Sequence, residues 1–194
     1  MLKLFAVLLG GRAEGCNIEL HDVVFVVGNS LEETYPQLVN KWFGEWKRLH
    51  IDSSVELKYV AGHEVIINSK KPENSDNNLY FVNFGGYQPG YFGEIHAINF
   101  YVAASKTEAI AKAKRELCLE TEQQHCDDNL AVEKLIDETQ VIDDILAIQT
   151  VDKHYIHLQP TTKPAILDIQ SFYKRLDVPD ILERAKEVKT EMQL

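Results

Sequence analysis

The stretch GGRAEGCNIELHDVVFVVGNSLEE (residues 10–33) recurs in diverged form as GGYQPGYFGEIHAINFYVAASKTE (residues 85–108). A shift of 75 residues aligns 4–53 with 79–128 without a gap and gives fourteen identities in fifty positions. Chance composition would give roughly three. Self-similarity at a fixed spacing indicates an internal duplication, so the sequence predicts two copies of one module.

Each copy has the pattern of a strand, a glycine-rich loop, a second strand, a helix and a hairpin. Apolar runs at 4–9 and 79–84 predict the first strands. Ser-x-x-Glu at 30–33 and 105–108 predicts two capped helix starts, and the first helix carries an apolar stripe reaching Trp46. Hairpin signals follow at 60–63 and 151–154.

The predicted fold class is α+β: two tandem modules that form a pseudo-symmetric pair, followed by a helical tail. The first module covers residues 1–68, and a polar loop at 68–78 marks its end. The second module covers 79–158 and contains an insertion near 129–141. The tail covers 159–194, with a helix beginning near Pro179.

Composition limits the classes of partner. The chain has 194 residues, of which 45% are hydrophobic and 26% charged, as in ordinary globular proteins. Its net charge of -10 argues against nucleic acid and anionic membranes as partners, and no apolar run is long enough for a membrane span. Three unpaired cysteines favour the reducing cytoplasm. The signal-like run at 2–9 recurs mid-chain, which favours a buried strand over a signal peptide.

Acidic and histidine residues pair between the copies and are the candidate ligand or metal cluster. A strand has a period of two, so Glu-x-His places both side chains on one face. The members are Glu19, His21, His50 and Asp52 in the first copy, and Glu94, His96, His125 and Asp127 in the second.

Three questions about this cluster stay open at the level of sequence. The insertion makes Asp143 a second candidate for the counterpart of Asp52. The residue types suit a divalent transition metal, but Glu-x-His is not a recognised metal motif, and no cofactor is assigned. In the structural alternative, these side chains accept hydrogen bonds from the amides of the glycine-rich loop.

The glycine-rich loops form a second candidate ligand region. They match neither a dinucleotide-binding loop nor a P-loop, and turns that require positive φ explain their glycines. Aromatic residues in the second loop either stack on a ligand or pack within the protein. The residues are Gly10, Gly11, Gly15, Gly85, Gly86, Gly90, Tyr87, Tyr91 and Phe92.

The Gly-Gly, Glu-x-His and His-x-Asp positions resemble a bacterial family catalogued as domain of unknown function 1543, over residues 4–158. The resemblance implies one or two such copies and supplies no activity. Two functional classes remain: a non-catalytic binding or scaffolding protein, and a metal-assisted, hydrolase-like enzyme using the Glu, His and Asp cluster. The tail helix either docks on the body or binds a protein partner or a second copy.

Overall fold

A computed structural model gives the architecture for residues 1–73, 76–86, 90–124 and 142–192. The fold is mixed α+β, with more strand than helix. The chain divides into two compact units, Met1–Lys71 with Thr150–Leu194, and Pro72–Gln149. Within these described ranges, no helix combines the length and apolar character that crossing a bilayer requires.

The first unit is built on a four-stranded antiparallel sheet. The order across it is β11 (Gln170–Arg175), β3 (Glu45–Glu56), β1 (Lys3–Arg12) and β2 (Leu20–Gly28). Helices α1 (Tyr35–Lys41) and α3 (Pro179–Met192) cover one face, because alternate strand side chains are apolar there. The buried core on this face contains Phe5, Val7, Leu9, Val24, Val26, Leu38, Val39, Trp42, Leu49, Ile51, Leu176, Ile181 and Ala185.

Both predicted hairpins are confirmed, and they share one sheet of the first unit. Strands β4 (Tyr59–Val60) and β5 (His63–Asn68) pair through a turn in which Ala61 and Gly62 have φ of 46° and 75°. Strands β9 (Thr150–Val151) and β10 (His154–Pro160) form the second hairpin. Antiparallel pairing of β5 with β10 gives the order β4-β5-β10-β9.

The second unit repeats the strand order of the first at smaller scale. Strand β6 (Asn78–Gly86) lies between β7 (Ile95–Ala103) and β8 (Ile142–Ile148), as β1 lies between β2 and β3. Helix α2 (Lys106–Gln124) buries Ala109 and Ala113 against the sheet. The two sheets therefore share the order of three strands.

The two helix starts differ. In the second unit, the amide of Glu108 donates to Ser105 Oγ, which confirms the serine cap, whereas the carboxylate of Glu108 accepts from the amide of Ala104, one residue before the predicted partner. In the first unit, Glu33 accepts from the amide of Asn29, but the chain first makes a 3₁₀ turn, Glu32–Thr34.

The first helix is also shorter than its apolar stripe predicts. It ends at Lys41, and Trp46 belongs to β3 instead. The extension of the stripe to Trp46 is therefore wrong, because Trp42 adopts an extended conformation at the C-cap.

The C-terminal tail provides a helix and a strand. The helix predicted from Pro179 is confirmed, and its Ile181 and Ala185 are buried in the core of the first unit. Sequence analysis missed β11, which pairs with β3 at the edge of the main sheet. All six β11 residues are exposed, so no apolar alternation marked them as a strand.

Candidate functional site

Three neighbouring strands bring the first-copy cluster together on the sheet face opposite the helices. Gly10 of β1 pairs with His21 of β2 on one side and with His50 of β3 on the other. Gly11, the next residue, faces the helices, where a Cβ would meet Trp42. Because Gly10 has no side chain, the imidazole of His50 and the carboxylate of Asp52 can close over its Cα.

A β-bulge supplies the fourth residue. Leu8 pairs with Ser53 and Leu9 with Ile51, so Asp52 is the extra residue of β3. Bulges redirect side chains and are frequent beside functional sites. This bulge adds the Asp52 carboxylate to the face that carries His21 and His50.

The four side chains form a ring of close nitrogen–oxygen approaches. From Asp52, Oδ1 lies 3.3 Å from His50 Nε2 and Oδ2 lies 3.2 Å from His21 Nε2. From Glu19, Oε1 lies 3.5 Å from His50 Nε2 and Oε2 lies 3.9 Å from His21 Nε2. The first-copy set predicted from sequence is therefore brought together in space.

Exposure divides the ring into a buried and an open side. The His50 side chain is 3% exposed, whereas those of Glu19 and His21 are 44% and 48% exposed. Oδ2 of Asp52 is buried and has no hydrogen-bond partner among the described residues. Solvent thus reaches the ring from the side of Glu19 and His21.

A backbone carbonyl fixes the orientation of the His50 ring. Nδ1 of His50 lies 2.7 Å from the carbonyl oxygen of Arg48. A carbonyl can only accept, so this contact assigns the proton to Nδ1 and leaves the lone pair of a neutral ring on Nε2. That lone pair faces the carboxylates of Glu19 and Asp52.

The C-terminal strand adds an aromatic neighbour. The ring of Tyr173 lies 4.5 Å from the ring of His50, centroid to centroid, at an interplanar angle of 35°. Tyr173 stands in the irregular part of β11, between the pairs that Ser171 and Lys174 make with β3. One side of the His50 imidazole is therefore covered by an aromatic side chain.

Acceptor atoms that face one another repel unless a proton or a cation lies among them. A cation among these four side chains would remove this repulsion. Among the described residues, no group of three or more His, Cys, Asp or Glu side chains is placed so that it could hold a metal ion without side-chain movement. The side chains of Glu19 and His21 approach each other and those of His50 and Asp52.

The second unit retains part of the arrangement. Gly85 pairs with His96 as Gly10 pairs with His21, and His96 Nε2 lies 3.8 Å from Glu94 Oε2. His125 and Asp127 lie outside the described residues.

Strand register identifies the counterpart of Asp52. Ile142 pairs with Phe84 as Ile51 pairs with Leu9, and the same register shift follows, so Asp143 occupies the Asp52 position. The sequence residue that precedes Ile142 is Val141, whereas His50 precedes Ile51. The second copy therefore has no histidine at this step of the sequence.

The glycines divide into two groups. Gly15 and Gly90 have φ of 82°, as the turn interpretation predicts. For Gly10, Gly11, Gly85 and Gly86 that interpretation is wrong, because they lie within β1 and β6. In the second loop, Tyr91 and Phe92 are exposed, and Tyr87 lies outside the described residues.

Three residues near the ring were missed from sequence. They are Arg48, Tyr173 and Asp177, whose carboxylate accepts from the amide of Arg48. Tyr173 and Asp177 are more than 120 residues from His50 along the chain, and no periodic pattern surrounds them. Their contribution depends on β11 pairing with β3.

Known proteins give relatives in sequence and in structure. The family model described as Domain of Unknown Function (DUF1543) matches residues 16–67 and 92–141, one region in each copy. A crystal structure of the protein Il1583 from Idiomarina loihiensis is similar, with a TM-score of 0.66 and 36% sequence identity, over 91% of this chain and 99% of that one. No curated protein matches the chain. The matched family regions contain the four ring residues and end before the tail.

Proposed function

The chain belongs to the family described as Domain of Unknown Function (DUF1543), and within it we propose a binding protein whose first unit holds one divalent transition-metal ion. The observation that carries the proposal is the ring of Glu19, His21, His50 and Asp52 around the side-chain-free position Gly10. Two imidazole nitrogens and two carboxylates are a suitable donor set for Zn²⁺, Mn²⁺ or Fe²⁺.

The separations within the ring support a cation. Ligands about 2.0–2.2 Å from a tetrahedral zinc ion lie about 3.3–3.5 Å from one another. Three of the four nitrogen–oxygen approaches are 3.2, 3.3 and 3.5 Å, and the fourth, between Glu19 and His21, is 3.9 Å. Each carboxylate makes its two approaches through different oxygens, so the carboxylates would turn to present ligand oxygens to one ion. Glu19 and His21 are also the two exposed members, so small side-chain rotations would bring them to an ion.

The duplication supports one ion for each chain. In the second copy His96 pairs with Gly85 and Asp143 is the extra residue of β8, as His21 pairs with Gly10 and Asp52 is the extra residue of β3, and the sequence has valine immediately before Ile142. Losing one imidazole removes a strong ligand for a transition metal. We therefore infer that duplication left one specialised copy.

Elemental analysis tests the proposal. Protein purified from zinc-supplemented cells and dialysed against metal-free buffer should carry about one zinc ion per chain, because a site with four protein ligands retains zinc. His21→Ala should lose the ion, and His96→Ala, its matched control in the second copy, should retain it. Zinc-free wild-type protein, or equal loss in the two variants, would contradict the proposal.

A metal-assisted hydrolase is the second candidate. It is favoured by the 44% and 48% exposure of Glu19 and His21, which leaves the ring open to a water molecule or a substrate. In this candidate His21, His50 and Asp52 would hold the ion, which would supply a more acidic bound water, and Glu19 would take its proton instead of serving as a ligand. Zinc-dependent hydrolysis of activated esters, lost in Glu19→Gln at unchanged zinc content, would distinguish this candidate from binding alone.

A further inference from the structure

We propose that Asp177 positions His50 through the backbone of Arg48, so that the C-terminal segment completes a site whose ligands all come from the first module. The predicted effect on zinc affinity rests on the proposed function. The predicted effect on the His50 imidazole does not. The contacts run from the carboxylate of Asp177 to the amide of Arg48, and from the carbonyl of Arg48 to Nδ1 of His50.

Arg48 is the residue that needs holding. Its φ is 64°, in the left-handed region that residues other than glycine seldom adopt. Such a conformation persists where surrounding contacts determine it. Its amide donates to Oδ2 of Asp177 at 2.8 Å, so the carboxylate fixes the peptide that precedes the Arg48 Cα.

Asp177 is itself held on two sides. Nε and Nη2 of Arg175 donate to its two carboxylate oxygens, both at 2.8 Å, in the bidentate geometry that gives strong ion pairs. These hydrogen bonds lower the pKa of Asp177 to about 2, and its side chain is only 8% exposed. The carboxylate is therefore ionised and well placed at neutral pH.

Main-chain pairing locks this segment beside the ring. Leu176, which lies between Arg175 and Asp177, is fully buried, and its amide donates to the carbonyl of Leu49 at 2.9 Å. Arg175 pairs with His50 itself across β11 and β3. Any movement of the turn at Asp177 would thus be transmitted to the strand that carries His50.

We call the hydrogen bonds that link Arg175, Asp177, Arg48 and His50 the brace, and they lie in the first unit. Within the described ranges, the sheet of the second unit ends at β8, whereas β11 flanks β3 in the first unit. Arg175 and Asp177 also lie outside the two regions that the family model matches, whereas Arg48 and His50 lie inside the first of them. Among the described residues, the first copy therefore has a support for its buried histidine that has no counterpart in the second unit.

The experiment compares Asp177→Ala and Asp177→Asn with Glu56→Gln. Glu56 pairs with Lys3 at 2.8 Å at the far end of β3, so its variant removes an ion pair from the same strand without touching Arg48. The ¹⁵N chemical shifts of the His50 ring, recorded on metal-free protein, report which ring nitrogen carries the proton. Zinc affinity is measured by chelator competition on the same samples.

We expect Nδ1 to carry the proton in the wild type and in Glu56→Gln, and a mixture of tautomers in Asp177→Ala. Zinc affinity should fall about 10- to 100-fold in Asp177→Ala, as for other residues that orient metal ligands. Asp177→Asn keeps an acceptor for the amide of Arg48, so its zinc affinity should fall less.

The two claims fail in different ways. Unchanged ring shifts in both Asp177 variants would overturn the positioning role, even if zinc binds. A wild type that binds no zinc would overturn the proposed function, while the ring shifts would still decide the role of Asp177. If Asp177→Ala does not fold, the ¹⁵N shifts of the His50 imidazole in Asp177→Asn decide the outcome. Changed shifts support the positioning role, and unchanged shifts overturn it.

Discussion

Gly10→Ala should abolish metal binding while leaving the protein folded. A Cβ at Gly10 would lie 2.5 Å from His50 Nε2 and 2.6 Å from Asp52 Oδ2, whereas ordinary van der Waals contact begins at 3.4 Å. The imidazole must therefore move by 3.4 − 2.5 = 0.9 Å. Binding sites need their ligands within about 0.5 Å of the productive geometry, so this displacement is enough to break the site.

Gly11→Ala is the matched control, because it overpacks the opposite face of the same strand. Its Cβ would lie 2.8 Å from Cζ2 of Trp42, 3.4 − 2.8 = 0.6 Å short of ordinary contact. Overpacking costs roughly 1–3 kcal/mol, and replacing a strand glycine by alanine returns roughly 0.5–1 kcal/mol. Both variants should therefore lose about 0–2.5 kcal/mol of folding stability by this arithmetic.

Urea denaturation and zinc titration on the same preparations separate the two effects. The expected result is similar stability for the two variants, with zinc binding lost in Gly10→Ala and kept in Gly11→Ala. Zinc affinity in Gly10→Ala within threefold of the wild type would refute the claim that the ring closes over Gly10. Equal loss in both variants would show that general overpacking, rather than this site, controls binding.

Three further predictions concern the fold. Asp177 has its pKa lowered from 3.8 to about 2 by the hydrogen bonds of Arg175, so its stabilising contribution is present above about pH 4 and is lost as the pH falls toward 2. In Asp177→Asn, the free energy of unfolding measured with urea should depend less on pH between about pH 4 and pH 2. An unchanged pH dependence would contradict the assignment. Leu176→Ala, at a fully buried position, should cost about 2–5 kcal/mol in urea denaturation, and a cost under 1 kcal/mol would mean that the tail is not docked. Ser105→Ala removes the acceptor of the Glu108 amide and should cost about 1 kcal/mol in thermal denaturation, and a neutral effect would argue against the cap.

The repeat made the first-copy candidate residues nameable from sequence, although it predicted neither the strand order nor their convergence. Alternation in Glu-x-His-x-Val-x-Phe fixed which side chains share a face, and both hairpins followed from turn residues. These features depend on local periodicity, which a single sequence displays directly. The set of Glu19, His21, His50 and Asp52 could be named for this reason.

Long-range pairing could not be predicted. The β11 strand has no apolar alternation, and only its pairing with β3 places Tyr173 and Asp177 beside the ring. The counterpart of Asp52 was ambiguous for a related reason: a constant shift of 75 residues points to Asp127, whereas strand register points to Asp143. Insertions conserve register across strands, not spacing along the chain.

The central claim is that the first-unit ring binds one divalent metal ion, and anomalous diffraction from a crystal grown with zinc tests it most directly. The account predicts one anomalous peak per chain, about 2.0–2.2 Å from Nε2 of His21 and Nε2 of His50, with the carboxylates of Asp52 and Glu19 turned toward it. Zinc-containing crystals with no peak at this position, and with His50 Nε2 hydrogen-bonded to Asp52 instead, would contradict it.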